Sequence, residues 1–502
     1  MSDTAFQTIA MVAYMAAMLF IGWYSYRKTK NLNDYMLGGR DLHPAVAALS
    51  AGAADMSGWL LMGLPGAIYA KGLVEAWIAV GLTVGAWLNW KVVAPRLRAY
   101  TQEANDSITV PSFLENRLHD RSRLLRVVSG LIILVFFTFY VSSGMVAGGV
   151  FMQSSFGINY RTGMLVVAGV TIAYTLFGGF LAVSYTDFVQ GLMMFAALVA
   201  VPLVGLVNLG GLGEVSRLVQ ASDARAGIDR MAVLPHPFTS VALMGIISAL
   251  AWGLGYFGQP HIIVRFMALR STAEARAGRR IGIGWMLFAV VGAIATALVG
   301  VAWHQKNGVT LADPETVYIK MGQILFHPLI AGFMLAAVLA AIMSTVSSQL
   351  LVTSSALVED IYKALDRNDR TDGHHVLMGR MAVLVVSVVA AAMAWTQNDT
   401  ILALVAFAWA GFGASFGPVV LLSLFWRKLT TAGALASMVT GALMVAWWGN
   451  VEGGIFDLYE ILPGFLAALL VAVVVSLVTH RPHDEITRQF DATVHAVKHA
   501  HD

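Results

Sequence analysis

An aspartate stands in the middle of a long apolar stretch, where an ionisable side chain is costly. At about residues 44–70, Asp55 lies between two glycines, Gly52 and Gly58. A charge at the centre of a hydrocarbon layer costs at least about 2.5 kcal/mol unless it is paired or hydrated. We therefore predict that the helix unwinds near residues 53–57, so that Asp55 caps the following half-helix and freed carbonyls face a cation. The alternative is a carboxylate that only satisfies backbone amides.

A second apolar stretch also carries residues that interrupt helices. At about residues 239–263, three glycines precede Pro260, which has no amide proton to donate. Gly253, Gly255 and Gly258 formally match a dinucleotide-binding motif, but no strand precedes them and no βαβ unit can be drawn. We therefore predict a second broken helix here and reject a nucleotide site.

Small polar residues share one face of a third apolar stretch, at about residues 328–352. The face consists of Ala341, Ser344, Thr345 and Ser348. Their i, i+3, i+4 and i+7 spacing brings them to one side of a helix. Such a face can serve close helix packing, with hydroxyls bonded back to their own helix. Its hydroxyl and carbonyl oxygens also suit a hard cation, and spacing alone leaves both interpretations open.

The composition indicates what kind of chain holds these residues. Of 502 residues, 58% are hydrophobic and 12% are charged, about half the roughly 25% charged fraction of a soluble domain. The mean hydropathy is +0.71. The sequence therefore predicts an all-α integral membrane protein and excludes a water-soluble enzyme. The 32 basic residues form no run of the kind that binds nucleic acid, and the absence of cysteine excludes disulfides and thiolate metal sites.

Thirteen apolar segments are long enough to cross a bilayer core about 30 Å thick, which needs about 20 residues per helix. They lie at about residues 5–25, 44–70, 74–95, 124–150, 161–182, 187–207, 239–263, 281–303, 328–352, 377–396, 400–425, 431–449 and 461–479. With the N-terminus outside, 25 of the 32 Lys and Arg residues fall in cytoplasmic segments. This distribution favours an outside N-terminus and an inside C-terminus.

The two broken segments are the second and the seventh, five helices apart. This spacing is expected when helices 2–6 and 7–11 are inverted repeats of one unit, with a binding site near the midplane where the breaks meet. We predict a single transmembrane domain, 1–480, made of an extra first helix (5–25), two repeats (44–207 and 239–425) and two additional helices (431–479). Residues 481–502 are predicted to be a polar cytoplasmic tail that frays.

Four stretches together resemble the sodium/solute symporter family. They are LSAGAADMSGW (49–59), GGFLAVS (178–184), GLGYFGQPH (253–261) and AWAGFG (408–413), and the similarity extends from about residue 10 to 480. The resemblance implies a thirteen-helix, LeuT-like transporter fold in a bacterial cytoplasmic (inner) membrane. It also implies secondary active transport, in which inward sodium flow drives uptake of L-proline by alternating access.

The resemblance further implies a sodium site. Its ligands would be the backbone carbonyls of Ala53, Met56 and Ala341 and the hydroxyls of Ser344 and Thr345. Asp55 would be the essential carboxylate beside this site. Asp187, at the cytoplasmic start of the sixth segment, would lie on the sodium exit route, although an interfacial aspartate is also an ordinary feature.

A proline pocket is implied next to the first break. Its residues would be Ser57, Gly58, Trp59, Tyr140, Trp252, Tyr256 and Pro260. A zwitterionic imino acid needs an acceptor for its NH₂⁺ group, a donor or helix end for its carboxylate and an apolar wall for its methylenes. Broken helices and aromatic side chains could provide all three. Without the resemblance, each aromatic residue could equally face lipid or pack inside the protein.

Other functions stay open at this point. A symporter for another small solute, such as another amino acid, pantothenate, a sugar or sialic acid, would share the same fold. A membrane sensor is disfavoured because no soluble output module follows residue 480. A hydrolase is disfavoured because the sequence offers Asp55 no identifiable acidic or histidine partner at depth. We expect no enzymatic activity, no cofactor beyond sodium as the coupling ion, and no obligate protein partner.

Overall fold

Helices joined by short loops make up the protein in the computed structural model, which describes residues 2–28, 32–37, 40–365, 371–397 and 399–499. In chain order the main helices are α1 (Asp3–Tyr26), α2 (Pro44–Asp55), α3 (Trp59–Lys71), α4 (Leu73–Glu103), α5 (Val110–Leu118), α6 (Leu124–Phe156), α7 (Tyr160–Leu209), α8 (Leu212–Ala226), α9 (Ser240–Gly258), α10 (Pro260–Met267), α11 (Ala275–Asn307), α12 (Val317–Leu325), α13 (Pro328–Leu365), α14 (Asp372–Met393), α15 (Ile401–Phe425), α16 (Thr431–Trp448), α17 (Ile461–Thr479) and α18 (Asp484–His499). The most enclosed of the long apolar helices are α13 and α15, each with 78% of its apolar window buried.

The predicted membrane crossings correspond to these helices. Within the described ranges, eleven helices are long and apolar enough to cross a membrane, and α2 with α3 forms a twelfth span that is bent by 60°. The helix α7 holds two of the predicted segments, 161–182 and 187–207. As one straight helix its 50 residues would be about 75 Å long, more than twice the thickness of a hydrocarbon core. The thirteen predicted segments are therefore all found in helices.

The interruption in α7 lies at Gly179 and not in the predicted loop at residues 183–186. Gly179 has φ 59° and ψ −151°, a conformation that glycine adopts readily and residues with a Cβ atom rarely adopt. A Cβ atom there would lie 2.5 Å from the ring of Tyr35, so the packing also requires glycine. The loop prediction was wrong because the polar residues there stay helical: Thr186 is buried and its hydroxyl donates to the Ala182 carbonyl (2.9 Å).

The first predicted break is confirmed. The helix α2 ends at Asp55, and Met56 leaves the helical conformation with φ −77° and ψ 37°. A new helix, α3, begins at Trp59 in a direction 60° away. The predicted unwinding at residues 53–57 therefore falls within two residues of the observed break.

The second predicted break is also confirmed. Regular α-helix ends at Ala251, a tighter 3₁₀ turn covers Trp252–Gly258, and the extended residue Gln259 (φ −81°, ψ 105°) separates α9 from α10. The glycines of this turn let α15 approach closely. A Cβ on Gly255 would lie 1.9 Å from the indole nitrogen of Trp409.

The C-terminal tail differs from the prediction. Residues 484–499 form α18, whose Phe490 and Thr493 are buried. The ring of Phe490 lies 6.3 Å from that of Tyr100, and the guanidinium groups of Arg117 and Arg427 lie over it at 5.7 and 5.3 Å. The prediction of a frayed tail was wrong because one aromatic residue among polar neighbours suffices to dock this amphipathic helix on the end of α4. Residues 500–502 lie outside the described range.

Candidate ion and substrate site

Oxygen atoms from the first break and from α13 lie together in the interior. The Ser344 hydroxyl donates to the Ala53 carbonyl (2.7 Å) and lies 3.1 Å from the Ala341 carbonyl. The Thr345 hydroxyl lies 3.4 Å from the first of these carbonyls and 3.2 Å from the second. All four residues are buried. Four of the five sodium ligands implied by the family resemblance therefore lie together, and their hydroxyl and carbonyl oxygens suit a hard cation.

Met56, the fifth of these residues, marks the end of α2. Its amide donates to the Gly52 carbonyl (2.9 Å), which closes the last turn of the helix. Because the backbone of Met56 is no longer helical, its carbonyl does not point along the axis of α2 as helical carbonyls do. Met56 is buried beside Ala53 and Asp55.

The Asp55 carboxylate is directed across to the second break. Its Oδ2 accepts a hydrogen bond from the Tyr256 hydroxyl, and its backbone carbonyl accepts one from the indole of Trp59 (3.3 Å). The predicted capping role is wrong: the hydroxyl of Ser57 is what faces the Trp59 amide, at 3.4 Å. The turn between the two half-helices is too tight for Asp55 to reach the α3 amides while its carboxylate contacts Tyr256.

Asp187 is fully buried and forms an ion pair. Its Oδ2 accepts from Arg265 (3.1 Å), from the Ser50 hydroxyl (2.8 Å) and from the Ser348 hydroxyl (3.3 Å). Arg265 in turn donates to Ser348 (2.6 Å), to Ser50 (3.1 Å) and to the carbonyl of His261. Asp187 is therefore not the exposed residue that an ordinary interfacial aspartate would be, because the helix continues through residues 183–186. Its place on a sodium exit route stays a prediction. This network joins α2, α7, α10 and α13.

Two of the predicted pocket aromatics pack against α15. The Trp252 carbonyl accepts a hydrogen bond from the indole of Trp409 (2.8 Å), and the two rings stack at 6.5 Å. The Tyr256 ring meets the same indole edge-on at 5.2 Å. Tyr459 adds a third ring, 5.2 Å from Trp252. Trp252 and Tyr256 are thus interior residues, and the lipid-facing alternative is wrong for both.

The other predicted pocket residues lie around this cluster without forming one continuous wall. Trp59 is buried against Asp55, and Tyr140 meets the ring of His261 edge-on at 5.9 Å. Gly58 approaches α6 and α13, where a Cβ would lie 3.0 Å from the Cβ of Ala147. Ser57 lies at the break itself. Pro260 lines a separate small cavity of ≈ 20 Å³ together with Thr109 and Asp360.

Several residues of the site were missed from the sequence. Arg265 was counted with the cytoplasmic loop residues, although it is fully buried in α10. An arginine within ten residues of a predicted break was the available signal. Asn89 and Gln259 each hold part of the second break through a side-chain amide, Asn89 to the Tyr256 carbonyl (3.0 Å) and Gln259 to the Trp409 carbonyl (3.1 Å). Nothing in the spacing of the sequence identified these two contacts.

The fold and the site together define a class of protein. Two broken helices, buried ionisable residues at the breaks, and oxygen and aromatic groups gathered between them are features of secondary transporters. Unwinding a helix inside a membrane frees backbone N–H and C=O groups. These groups must then be satisfied by a ligand or by other groups of the protein.

The chain belongs to the sodium:solute symporter family, whose family model matches residues 35–441. It is 58% identical over 475 residues to the high-affinity proline transporter PutP of Bacillus subtilis (strain 168), covering 94% of this chain and 98% of the relative. It is 51% identical to the osmoregulated proline transporter OpuE of the same organism, with 96% of each chain covered. A sodium/proline symporter of Staphylococcus aureus (strain JH9) is 50% identical, covering 96% of this chain and 94% of the relative. The protein is thus a multi-span bacterial membrane transporter and not an enzyme.

Solved structures confirm the predicted fold class. A Na⁺-coupled sialic acid symporter in a substrate-bound, outward-open state aligns with a TM-score of 0.78 at 19% identity, over 94% of this chain and 98% of that one. The nucleobase-cation-symport transporter Mhp1 aligns with a TM-score of 0.53 at 14% identity, over 91% and 98%. At these identities the likeness concerns the fold alone. The fold is the all-α, LeuT-like arrangement of two inverted repeats with broken second and seventh helices.

Proposed function

We propose that the protein couples inward movement of sodium to uptake of L-proline across the cytoplasmic membrane by alternating access. The observation that carries this proposal is the convergence of the Ala53 and Ala341 carbonyls with the Ser344 and Thr345 hydroxyls. The relatives that share about half or more of the residues of this chain are named as proline transporters, which supports proline as the solute.

Sodium would bind where these oxygens meet. The hydroxyl protons that now point to the carbonyls would rotate away, so that all four oxygens could turn their lone pairs to the ion. One carbonyl comes from the broken helix α2, whereas the hydroxyls come from the enclosed helix α13. The ion would therefore fasten one repeat to the other, and its release would allow the two to move apart.

Proline would bind on the other side of the first break. The start of α3 offers a positive dipole end and backbone amides for the carboxylate, which would take the place of the Ser57 oxygens that now face the Trp59 and Leu60 amides. The rings of Trp252 and Tyr256 offer an apolar wall, and the Tyr256 hydroxyl connects this wall to Asp55. Because Asp55 and Ser57 belong to one unwound turn, sodium and proline would order the same few residues.

Thermodynamic linkage follows from this shared turn. If sodium tightens proline binding by some factor, proline must tighten sodium binding by the same factor, about 5- to 150-fold for typical coupling energies. One sodium ion with a neutral zwitterion carries one net charge inward. The membrane potential would then contribute about 2.3 kcal/mol per 100 mV in addition to the sodium gradient.

The test is uptake of radiolabelled L-proline into proteoliposomes that hold the purified protein. An inward sodium gradient should drive accumulation, and an inside-negative potential should increase it. A choline gradient of the same ionic strength is the control. Excess unlabelled alanine, pantothenate, galactose or sialic acid should not compete. Uptake that is the same in choline, or that is displaced by another solute better than by proline, would overturn the proposal.

A further inference from the structure

A small cavity lies between α10 and α13, beyond the second break in chain order. It has a volume of ≈ 20 Å³, room for about one water molecule. Pro260 and Val264 line it from α10, and Val352 and Asp360 line it from α13. With the N-terminus outside, α10 and α13 both run towards the cytoplasm after these residues. The cavity therefore lies between the proposed proline pocket and the cytoplasm, where a solute would pass on its release.

The first turn of α5 forms the end of this cavity that is nearest the cytoplasm. Residues 108–111 belong to its lining. Thr109 is the N-cap of α5, and its hydroxyl, which accepts from the Ser112 amide (3.1 Å), donates to Asp360 Oδ1 (2.7 Å). Asp360 lies eight residues beyond Val352, about 12 Å further along α13. The hydrogen bond thus joins α5 to α13 at the inner end of the cavity.

The end of α4 connects this turn to α10. Arg98 of α4 donates to the carbonyls of Leu269 (2.5 Å) and Arg270 (3.1 Å), which follow α10. Six residues separate the end of α4 from the start of α5. A shift of α10 away from α13 would therefore pull on α4 and, through it, on α5. The hydrogen bond between Thr109 and Asp360 opposes that shift.

Asp360 is an incompletely satisfied anchor for this bond. It is fully buried, and its Oδ2 has no hydrogen-bond partner among the described residues. Arg126 lies 3.8 Å from its Oδ1 and is shared with Glu115, with which it forms a closer ion pair. Burial of a carboxylate is unfavourable unless it is fully paired, so access of water to Asp360 would favour an open form. Asp360 also lies in the π-helical turn Ala356–Tyr362, an irregularity that is frequent at functional sites.

We propose that this cavity is a closed part of the cytoplasmic exit for the solute, and that the hydrogen bond between Thr109 and Asp360 is the latch that keeps it closed. The first turn of α5 is the lid, and Asp360 is a positioning residue that acts through Thr109. Opening breaks the bond, hydrates both side chains and widens a water-sized space until an amino acid can pass. The passage rests on the proposed function, whereas the latch rests on the hydrogen bond and on the unpartnered Oδ2.

The absence of cysteine from the sequence allows a direct test. Val264→Cys places one thiol on the cavity wall. A membrane-impermeant maleimide is added to the cytoplasmic face, exposed in inside-out vesicles, without proline and with choline in place of sodium. Thr109→Val should raise the labelling rate about tenfold, because the loss of a hydrogen bond to a charged group shifts a closed–open equilibrium by about this factor. Thr109→Ser keeps the hydroxyl and should label as slowly as the parent.

Ser112→Ala is the matched control on α5. The Ser112 hydroxyl accepts from the Thr109 amide (3.0 Å) as part of the helix cap, so its removal loosens α5 and leaves the bond to Asp360 in place. Labelling of Val264→Cys should then stay near the parent rate. A second reporter, Ala289→Cys, is buried in α11 and should stay unlabelled in every variant. Equal labelling in Thr109→Val and Ser112→Ala, or labelling of both reporters in Thr109→Val, would overturn the latch.

Removal of the carboxylate tests the same bond from α13. Asp360→Ala should raise labelling of Val264→Cys as Thr109→Val does, and the double variant should label no faster than either single variant, because both changes break one bond. Asp360→Ala alone carries the test if Thr109→Val is not recovered as a monodisperse protein. Rates that multiply in the double variant, or no increase in any variant, would overturn the proposal. The proposed function is tested separately, because sodium-driven proline uptake can be present whichever result the labelling gives.

Discussion

The two broken helices differ in how they satisfy the backbone carbonyls that unwinding frees. At the break between α9 and α10, side chains satisfy freed carbonyls: Asn89 donates to that of Tyr256, and Trp409 donates to that of Trp252. At the break between α2 and α3, the Ala53 carbonyl meets two hydroxyls, those of Ser344 and Thr345. A hydroxyl can turn its proton away and offer a lone pair to an ion, whereas an amide or indole N–H cannot.

This difference assigns different roles to the two breaks. The second break is held by N–H donors and by close packing of its glycines on α15, so it is suited to hold aromatic rings in fixed positions. The first break keeps oxygen atoms whose partners can be exchanged, so it is suited to bind and release an ion. The Tyr256 hydroxyl, which donates to Asp55, is the contact between the two.

The largest effect is expected from neutralising the carboxylate at the first break. Asp55→Asn should lower sodium-driven proline uptake by a factor of at least about 100, because the charge that attracts the cation in a desolvated site is lost. Asp55→Glu should retain measurable uptake with weaker sodium affinity. Uptake into proteoliposomes at a series of sodium concentrations measures both. Full activity in Asp55→Asn would mean that the first break needs only a neutral hydrogen-bond acceptor.

A steric change tests whether the second break is rigid. In Gly255→Ala the new Cβ would lie 1.9 Å from Trp409 Nε1, so the indole must move and lose its bond to the Trp252 carbonyl. Overpacking of this kind costs about 1–3 kcal/mol or more. We expect less folded protein in size-exclusion profiles. Gly245→Ala, on the same helix with no atom within 4 Å of the new Cβ, is the control. Equal yields from the two variants would show that the second break is as adaptable as the first.

Removal of aromatic rings should affect the solute more than the ion. Alanine at Trp59, Tyr140, Trp252 or Tyr256 should weaken proline binding by about 1–3 kcal/mol, or about 5- to 150-fold, through lost apolar contact. Equilibrium binding of labelled proline at saturating sodium measures the loss. Phe288→Ala removes a ring that is 60% exposed on the outer surface of α11 and serves as the control. If a variant lost sodium affinity and kept proline affinity, the removed ring would belong to the ion site and not to the proline pocket.

The smallest effect is expected from the loss of one hydroxyl opposite the first break. Ser344→Ala or Thr345→Ala should raise the sodium concentration for half-maximal uptake by about tenfold, at the lower end of the about 1.5–3 kcal/mol that a hydrogen-bonding group contributes next to a charge, because the remaining oxygens would still bind the ion. The rate at saturating sodium should change less. Ser347→Ala is a matched control, because its hydroxyl bonds back to the Ser344 carbonyl of its own helix (3.0 Å). Identical sodium dependence in all three variants would mean that this face of α13 serves only helix packing.

Much of the architecture could be predicted because it depends on local composition. The length of an apolar run decides whether it spans a bilayer, and the positions of Asp55 and Pro260 marked both breaks within a few residues. The predicted loop at residues 183–186 and the frayed tail were wrong for a common reason. In each case local polarity was taken as exposure, but Thr186 bonds to its own helix and Phe490 docks on the aromatic ring of Tyr100.

The sequence by itself determined the class of protein, the apolar segments that form its long helices, the two breaks and the polar face of α13, because hydropathy, helix-breaking residues and helical spacing act over short distances along the chain. Only the tertiary structure decided which groups meet across those breaks. Asp187 and Arg265 are 78 residues apart and form one buried ion pair, and Asn89 holds the backbone at Tyr256 from 167 residues away. Such contacts depend on how helices from two repeats pack against each other, and no local pattern records that packing.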